Sequence, residues 1–337
     1  MLEINPKNVR LWAKMGSRAM YGQAILALAN DTKKDFMVLS ADLGRSSGLG
    51  RFMETHANRF RNVGISEQNM IGIAGGLAKE GFVVFASSFA PFISMRASEQ
   101  VRMNMGYMGL NVKAVALGSG VAMGFLGNSH YGLEDVAVMR SIANMTVISP
   151  ADCSEILKTI YAAVEFNGPV YIRLTGDSNT TFVYEEDYEF QIGKAVTLRA
   201  GHDLTIIAAG TMVHESIEAA EILEVQGISA TVLNMHTIKP LDLVALDKAF
   251  STTKLIVTVE EHSVVGGLGS AVAEYKTSIP NAPPQLILGL PDHFGSVGEH
   301  RFLLEQYGLV SSKLAERIAP QFLRLRENPS YRTVEQR

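Results

Sequence analysis

Short, continuous apolar runs separated by helical stretches are what most constrain this chain. Phe36–Leu43, Phe82–Ser87, Val112–Ser119, Met145–Pro150 and Pro169–Leu174 are brief and rich in β-branched or other apolar residues. Such runs suit strands buried on both faces of a parallel sheet. Ser17–Asn30, Gln68–Leu77, Ala97–Met105 and Cys153–Glu165 read as the helices between them. A second series, Leu204–Gly210, Ser229–Met235, Lys254–Glu261 and Pro284–Leu290, alternates with helices over Val213–Gln226 and Leu241–Phe250. A last helix begins near Ser311, a good N-cap. Gly176–Ile192 is polar, acidic and turn-rich, and reads as a linker. The expected fold class is α/β, with two helix–sheet–helix domains over 1–183 and 184–337, the first built on a mostly parallel sheet. A length of 337 residues suits two such domains.

Charge and composition exclude several classes. The formal charge is −4 and the basic residues are dispersed rather than striped, so no nucleic-acid partner is expected. The most apolar window, Ala114–Gly127, is glycine-rich and too short to span a bilayer. The first residues, MLEINPKNVRLW, lack the apolar core of a signal peptide. A cytoplasmic location without membrane contact is the expectation. One cysteine, Cys153, excludes an intramolecular disulfide and suits a reducing compartment. It is assigned no role.

The segment Arg61–Ala78 carries the clearest chemical signal. It sets Glu67 between a short extended run and a helix containing Gly72, Gly75 and Gly76. Glycines are poor helix formers, and in a helix they point to close approach by another backbone or a ligand. An acid at the head of such a helix has apolar neighbours and suits acid–base work. It can equally serve to cap or charge the first turn.

GISEQNM with its small-residue helix, FASSFAPF at 85–92, NSHYGLED at 128–135 and VTVEEHSVVGGLGSAVAE at 257–274 follow one another in a fixed order. Together they resemble the transketolase family of thiamine diphosphate enzymes, specifically its pyrimidine-binding and C-terminal domains. The resemblance runs from Ser17 to Ile318. It implies that Glu67 hydrogen-bonds the distal ring nitrogen of the cofactor's aminopyrimidine and favours the imino tautomer. It places Phe89 and Phe92 around that ring, where offset stacking supports a flat heterocycle, and puts Met95 where the family has a third aromatic. His130 corresponds to a family histidine near the thiazolium and the donor sugar, able to donate a proton or bind a hydroxyl. Ser46 matches a serine that touches substrate phosphate, and Arg45 can serve the same end. Asp42 matches an interface acid and is counted with the cofactor site. A plain turn accounts for these three loop residues nearly as well.

The resemblance also shows what this chain lacks. The family binds the diphosphate and a divalent metal through a Gly-Asp-Gly motif and a downstream Asn. Here only GDSN at 176–179 appears, in the linker. No metal ligand is expected on this chain. A split enzyme follows: a larger N-terminal transketolase-type subunit would bring the diphosphate and Mg2+ or Ca2+, in an α2β2 assembly. Family residues that contact the sugar align with Gly118 and Leu126, and a phosphate-binding arginine aligns with Gly176. Arg173, three residues away, is the remaining cation for a substrate phosphate. The glycine-rich run Gly266–Tyr275 fails the dinucleotide fingerprint and reads as packing, with Glu260, Glu261 and His262 structural or interfacial. The leading function is the small subunit of a two-chain transketolase that moves a two-carbon ketol unit between sugars. The alternatives are a component like deoxyxylulose phosphate synthase or a 2-oxo acid dehydrogenase β subunit, suggested by MHTIKPLD at 235–242, and a non-catalytic scaffold of the same fold.

Overall fold

Each apolar run expected as a strand overlaps one. The computed structural model describes residues 1–176 and 178–327. Asp177 of the GDSN run and the last ten residues of the expected second domain lie outside the described residues. The strands are β1 (Phe36–Ser40), β2 (Phe60–Asn62), β3 (Val83–Phe89), β4 (Val112–Ser119), β5 (Thr146–Ile148), β6 (Val170–Thr175), β7 (Val196–Arg199), β8 (Leu204–Ala208), β9 (Ala230–Asn234), β10 (Thr237–Lys239), β11 (Leu255–Ser263) and β12 (Gln285–Leu290). The first sheet runs β10-β5-β6-β4-β3-β1-β2 and the second β12-β11-β8-β9-β7. All pairings are parallel except those of β10 with β5 and β7 with β9.

β1, β3 and β4 are buried along their whole length, as expected for strands covered by helices on both faces. Their apolar side chains divide between two cores, one on each face of the first sheet. A third core lies within the second sheet and its helices Met212–Val225 and Ser311–Glu327.

β10 follows the linker in sequence, yet it pairs with β5 at the edge of the first sheet, Thr237 opposite Ile148. The linker is also fastened down. Asp152 caps the helix Cys153–Glu165 through the N–H of Glu155, and its other oxygen accepts the N–H groups of Val183 and Tyr184 at 2.7 and 2.9 Å. Cys153 is buried beside it, its thiol pushed up to about 12 by burial, and this makes it inert as a nucleophile.

The helix expected over Ala97–Met105 is part of a longer stretch. Phe92–Arg96 and Val101–Tyr107 form wide π-type turns around a short α-helical segment, Ser98–Gln100. Such turns accommodate an extra residue and recur at functional sites.

Candidate functional site

The residues singled out from the motifs gather at the carboxyl ends of the parallel strands, where loops meet in an α/β sheet. Phe89 ends β3, and Phe92 and Arg96 lie on the stretch after it. His130 is on the loop that follows β4, and Glu67 is the first residue of the helix Glu67–Lys79, which follows β2.

Three rings form one cluster. The centroids of Phe89 and Phe92 are 6.0 Å apart, and His130 is 5.8 Å from Phe89 and 5.3 Å from Phe92, all edge to face. Nδ1 of His130 lies 3.0 Å from the Ser129 hydroxyl, which fixes the ring's near side. Phe89 is buried, whereas Phe92 and His130 are half-buried.

Glu67 is 2% exposed. Nη1 of Arg96 donates to both of its oxygens at 3.1 and 3.0 Å, and the Ser88 hydroxyl is 3.4 Å from Oε1. The Arg96 guanidinium also lies over the Phe92 ring, 4.2 Å from its centroid. Sequence reasoning does not single out Arg96. Its signal would have been the single cation among small and apolar residues just after the aromatic pair.

Only one of the helix glycines meets a close neighbour within the chain. A Cβ on Gly75 would lie 2.9 Å from Oδ1 of Asn104, while Gly72 and Gly76 have nothing within 4 Å and leave a bare stripe beside the exposed Ile73.

The loop after β1 is more open. Asp42 takes a left-handed backbone, φ 62, and pairs with Asn62 through two hydrogen bonds of 2.9 and 3.0 Å. It ties the loop to β2. Arg45 and Ser46 are exposed, with Arg45 3.6 Å from Glu54.

Arg173 departs from expectation. It is buried, and its guanidinium is fully engaged inside the protein: Nε on Asp135 at 2.9 Å, Nη1 on the Thr175 hydroxyl at 3.1 Å, and Nη2 on the carbonyls of Gly132 and Glu261 at 3.0 and 2.9 Å. A cation held in this way between the two sheets does not reach a substrate phosphate. Proximity in sequence suggests it; β6 turns the side chain inward.

Of the positions that the resemblance aligns with sugar and phosphate contacts, Gly118 and Gly176 are crowded by the chain itself and Leu126 is exposed. Gly118 has φ 61, and a Cβ there would meet Met123 Cγ at 2.6 Å, so Met123 takes the space of a larger residue. Leu126 and Phe125 are exposed on the His130 loop. Gly176 has φ 82 and would meet Thr180 at 2.8 Å.

The acidic run on β11, expected to be structural or interfacial, is engaged inside the chain. Glu260 accepts the N–H groups of Leu268 and Gly269 at 2.6 and 2.7 Å, which fills the glycine-rich turn with an internal carboxylate and leaves no seat for a phosphate. Burial pushes Glu260 up to about 7. Burial opposes ionisation of Glu261 as well, but His300, Thr211 and the Val121 N–H outweigh it and hold that acid below its ordinary value. His262 donates from Nδ1 to the Ser263 carbonyl, and burial pushes it down to about 4.

Among the described residues no three His, Cys, Asp or Glu side chains are grouped to hold a metal ion. No described helix is long and apolar enough to cross a membrane.

Known proteins agree with this architecture. Residues 13–179 match the transketolase pyrimidine-binding domain and 193–314 the transketolase C-terminal domain. A 6-deoxy-6-sulfo-D-fructose transketolase subunit of Clostridium sp. is 42% identical, over 86% of this chain and 89% of its own length. One of the subunits of an apulose-4-phosphate transketolase from Phocaeicola vulgatus is 40% identical, over 87% and 93%. A split-gene transketolase chain, solved as an inactive β4 tetramer, superposes with a TM-score of 0.83 at 39% identity, covering 92% of this chain and 98% of that one. The chain therefore belongs to the transketolase family, of which it carries the pyrimidine-binding and C-terminal domains.

Proposed function

We propose that this chain is the small subunit of a two-chain, thiamine diphosphate-dependent transketolase that transfers a two-carbon ketol unit between sugars. The observation that carries the reading is the grouping of a buried carboxylate, two phenylalanine rings and a histidine at the carboxyl ends of the strands of the first sheet. That set fits the aminopyrimidine half of the cofactor: an acid for a ring nitrogen and aromatic faces for a flat heterocycle. Bound thiamine diphosphate supplies a nucleophilic thiazolium carbon.

The remaining work falls to this chain. Glu67 holds a proton at the distal ring nitrogen and so sets the tautomer. Phe89 and Phe92 orient the ring and exclude water from it. His130 is placed to hydrogen-bond a sugar hydroxyl or pass a proton beside the reacting carbon. Asp42 anchors the loop that borders the cofactor site, and Arg45 and Ser46 stand where a phosphate-bearing tail would pass.

Diphosphate and Mg2+ or Ca2+ are assigned to a larger N-terminal transketolase-type subunit. Support comes from exposed apolar residues around the site, Ile65, Met95 and Phe125, and from the bare Gly72–Gly76 stripe, all of which suit burial under a partner. The relatives named as subunits, and the split-gene chain found inactive as a β4 tetramer, fit the same picture. The proposed assembly is α2β2, in the cytoplasm, with domains over 1–183 and 184–337.

The test is calorimetric. Thiamine diphosphate titrated into the isolated chain should bind weakly. With the proposed large subunit present, binding should become tight and depend on Mg2+. Tight binding by this chain alone would overturn the split-site reading.

A further inference from the structure

Arg96 makes two contacts that belong to a different group. Its Nη1 covers both oxygens of Glu67 at 3.1 and 3.0 Å, and its guanidinium carbon lies over the Phe92 ring, 4.2 Å from the centroid. An aminopyrimidine would need the same two surfaces, the carboxylate edge and an aromatic face. A guanidinium can take both because it is planar, carries N–H donors on its edge and stacks on aromatic rings. Its side chain is 48% exposed while the Glu67 side chain is 2% exposed, so the cap faces solvent and the acid does not.

We infer that Arg96 is a stand-in for the cofactor's pyrimidine: it closes the pocket in the cofactor-free chain and must swing out for the cofactor to load. This inference rests on the reading of the pocket given above. The physical need for it follows from the division of the site. A subunit that carries only the pyrimidine half must fold before the other half arrives, with a carboxylate already buried. An uncompensated buried carboxylate is strongly unfavourable, and a paired one is tolerated. Arg96 supplies the pair. Because its other side is open to solvent, it can leave without disturbing the core. The wide turns of Phe92–Arg96 bring Phe92 and Arg96 to the same side of the pocket. Arg96 acts through Glu67, so it is a positioning residue and not a catalytic one.

The test uses three variants. Arg96→Met keeps an unbranched apolar side chain over Phe92 and removes the charge. Arg96→Lys keeps the charge and loses the plane. Glu67→Gln removes the charge on the acid. In the isolated chain, Arg96→Met should lower the melting temperature, Arg96→Lys should restore most of the loss, and Arg96→Met with Glu67→Gln should be more stable than Arg96→Met alone. That recovery reads the ion pair and not the packing.

In the complex with the large subunit, Arg96→Met should bind thiamine diphosphate about tenfold more tightly than the unaltered chain, the scale of one charge-assisted hydrogen bond no longer competed for. Additive effects in the isolated chain would overturn the pairing. Cofactor binding that is unchanged or weaker in Arg96→Met would overturn the gate, and weaker binding would make Arg96 a cofactor ligand instead. Failure of every assembled form to bind the cofactor would overturn the functional reading and the gate together.

Discussion

Glu261, on β11 of the second sheet, accepts the backbone N–H of Val121, at the start of the His130 loop, at 2.8 Å. The approach is so close that a Cβ on the neighbouring Gly120 would lie 2.2 Å from Oε1 of Glu261, and Gly120 has φ 67. Only glycine fits there. The C-terminal domain thus sets where the histidine loop of the first domain begins. A second tie lies further along, where Asn128 exchanges two hydrogen bonds with Gly295 at 2.9 and 3.2 Å.

Glu261→Gln should therefore impair the site from a distance. The acid also binds Thr211 and His300, at 2.7 and 2.9 Å. An amide can satisfy fewer of these donors. The expected cost is about 1.5–3 kcal/mol, the range for a hydrogen bond to a buried charge. Chemical denaturation would measure that loss. Steady-state kinetics should show a raised KM for sugar, with cofactor affinity little changed. An unchanged KM would mean that the domain contact does not govern the loop.

Glu67→Gln should abolish turnover and leave the fold intact, because the amide oxygen can still accept from Arg96. Exchange of the thiazolium proton in the assembled enzyme is expected to slow by about 10²–10⁴, the usual contribution of a positioned acid or base. Exchange followed by NMR at near-normal rates would remove Glu67 from its assigned role.

Stability should fall on acidification in a way traceable to two buried imidazoles. Burial pushes both His236 and His262 down to about 4. An unfolded histidine takes up its proton near about 6.5. Between those values the unfolded chain holds more protons, so stability declines as pH drops from about 6.5 toward 4. Glu260, pushed up to about 7 by burial, works the other way: over its window the folded chain holds the extra proton, and its contribution shrinks as pH rises. His236→Phe, which keeps the stack on Phe190, should flatten the acid slope by up to about 1.4 kcal/mol per pH unit. Glu260→Gln should steepen it. Urea denaturation at a series of pH values between about 4.5 and 6.5 would check both, and slopes unaffected by either change would contradict the assignment.

Xylulose 5-phosphate should be a poor donor. Gly118, Leu126 and Gly176 stand where the family resemblance places sugar and phosphate contacts, and Arg173 is held between the sheets. Each absent charge-assisted contact is worth about 1.5–3 kcal/mol. Discrimination should appear in the substrate's tail, since the role proposed for His130 concerns the reacting end. Arg45 and Ser46 are the side chains left to bind a phosphate. Paired kinetics on phosphorylated and unphosphorylated ketoses, with the large subunit present, would decide it. Equal specificity constants for the two would show that the loop residues suffice.

The sequence by itself determined the layer architecture and the family motifs that carry the candidate site. Strands such as Val112–Ser119 are continuous apolar runs because both faces are covered, and that pattern is local and readable. Glu67, Phe89, Phe92 and His130 lie in motifs whose order is visible without coordinates. Other features depend on contacts between residues far apart in the chain, which leave no local trace. β10 is three residues long and joins the first sheet only because β5 offers an open edge. Arg173 reads as a free cation beside a phosphate position, but whether a side chain points to solvent or between two sheets is decided by how the domains pack. Arg96 is an ordinary residue in the sequence and acquires its partner only when the turns after β3 fold back over the head of the Glu67 helix. Pairing of that kind arises from the shape of the assembled chain, and only the tertiary structure decides it.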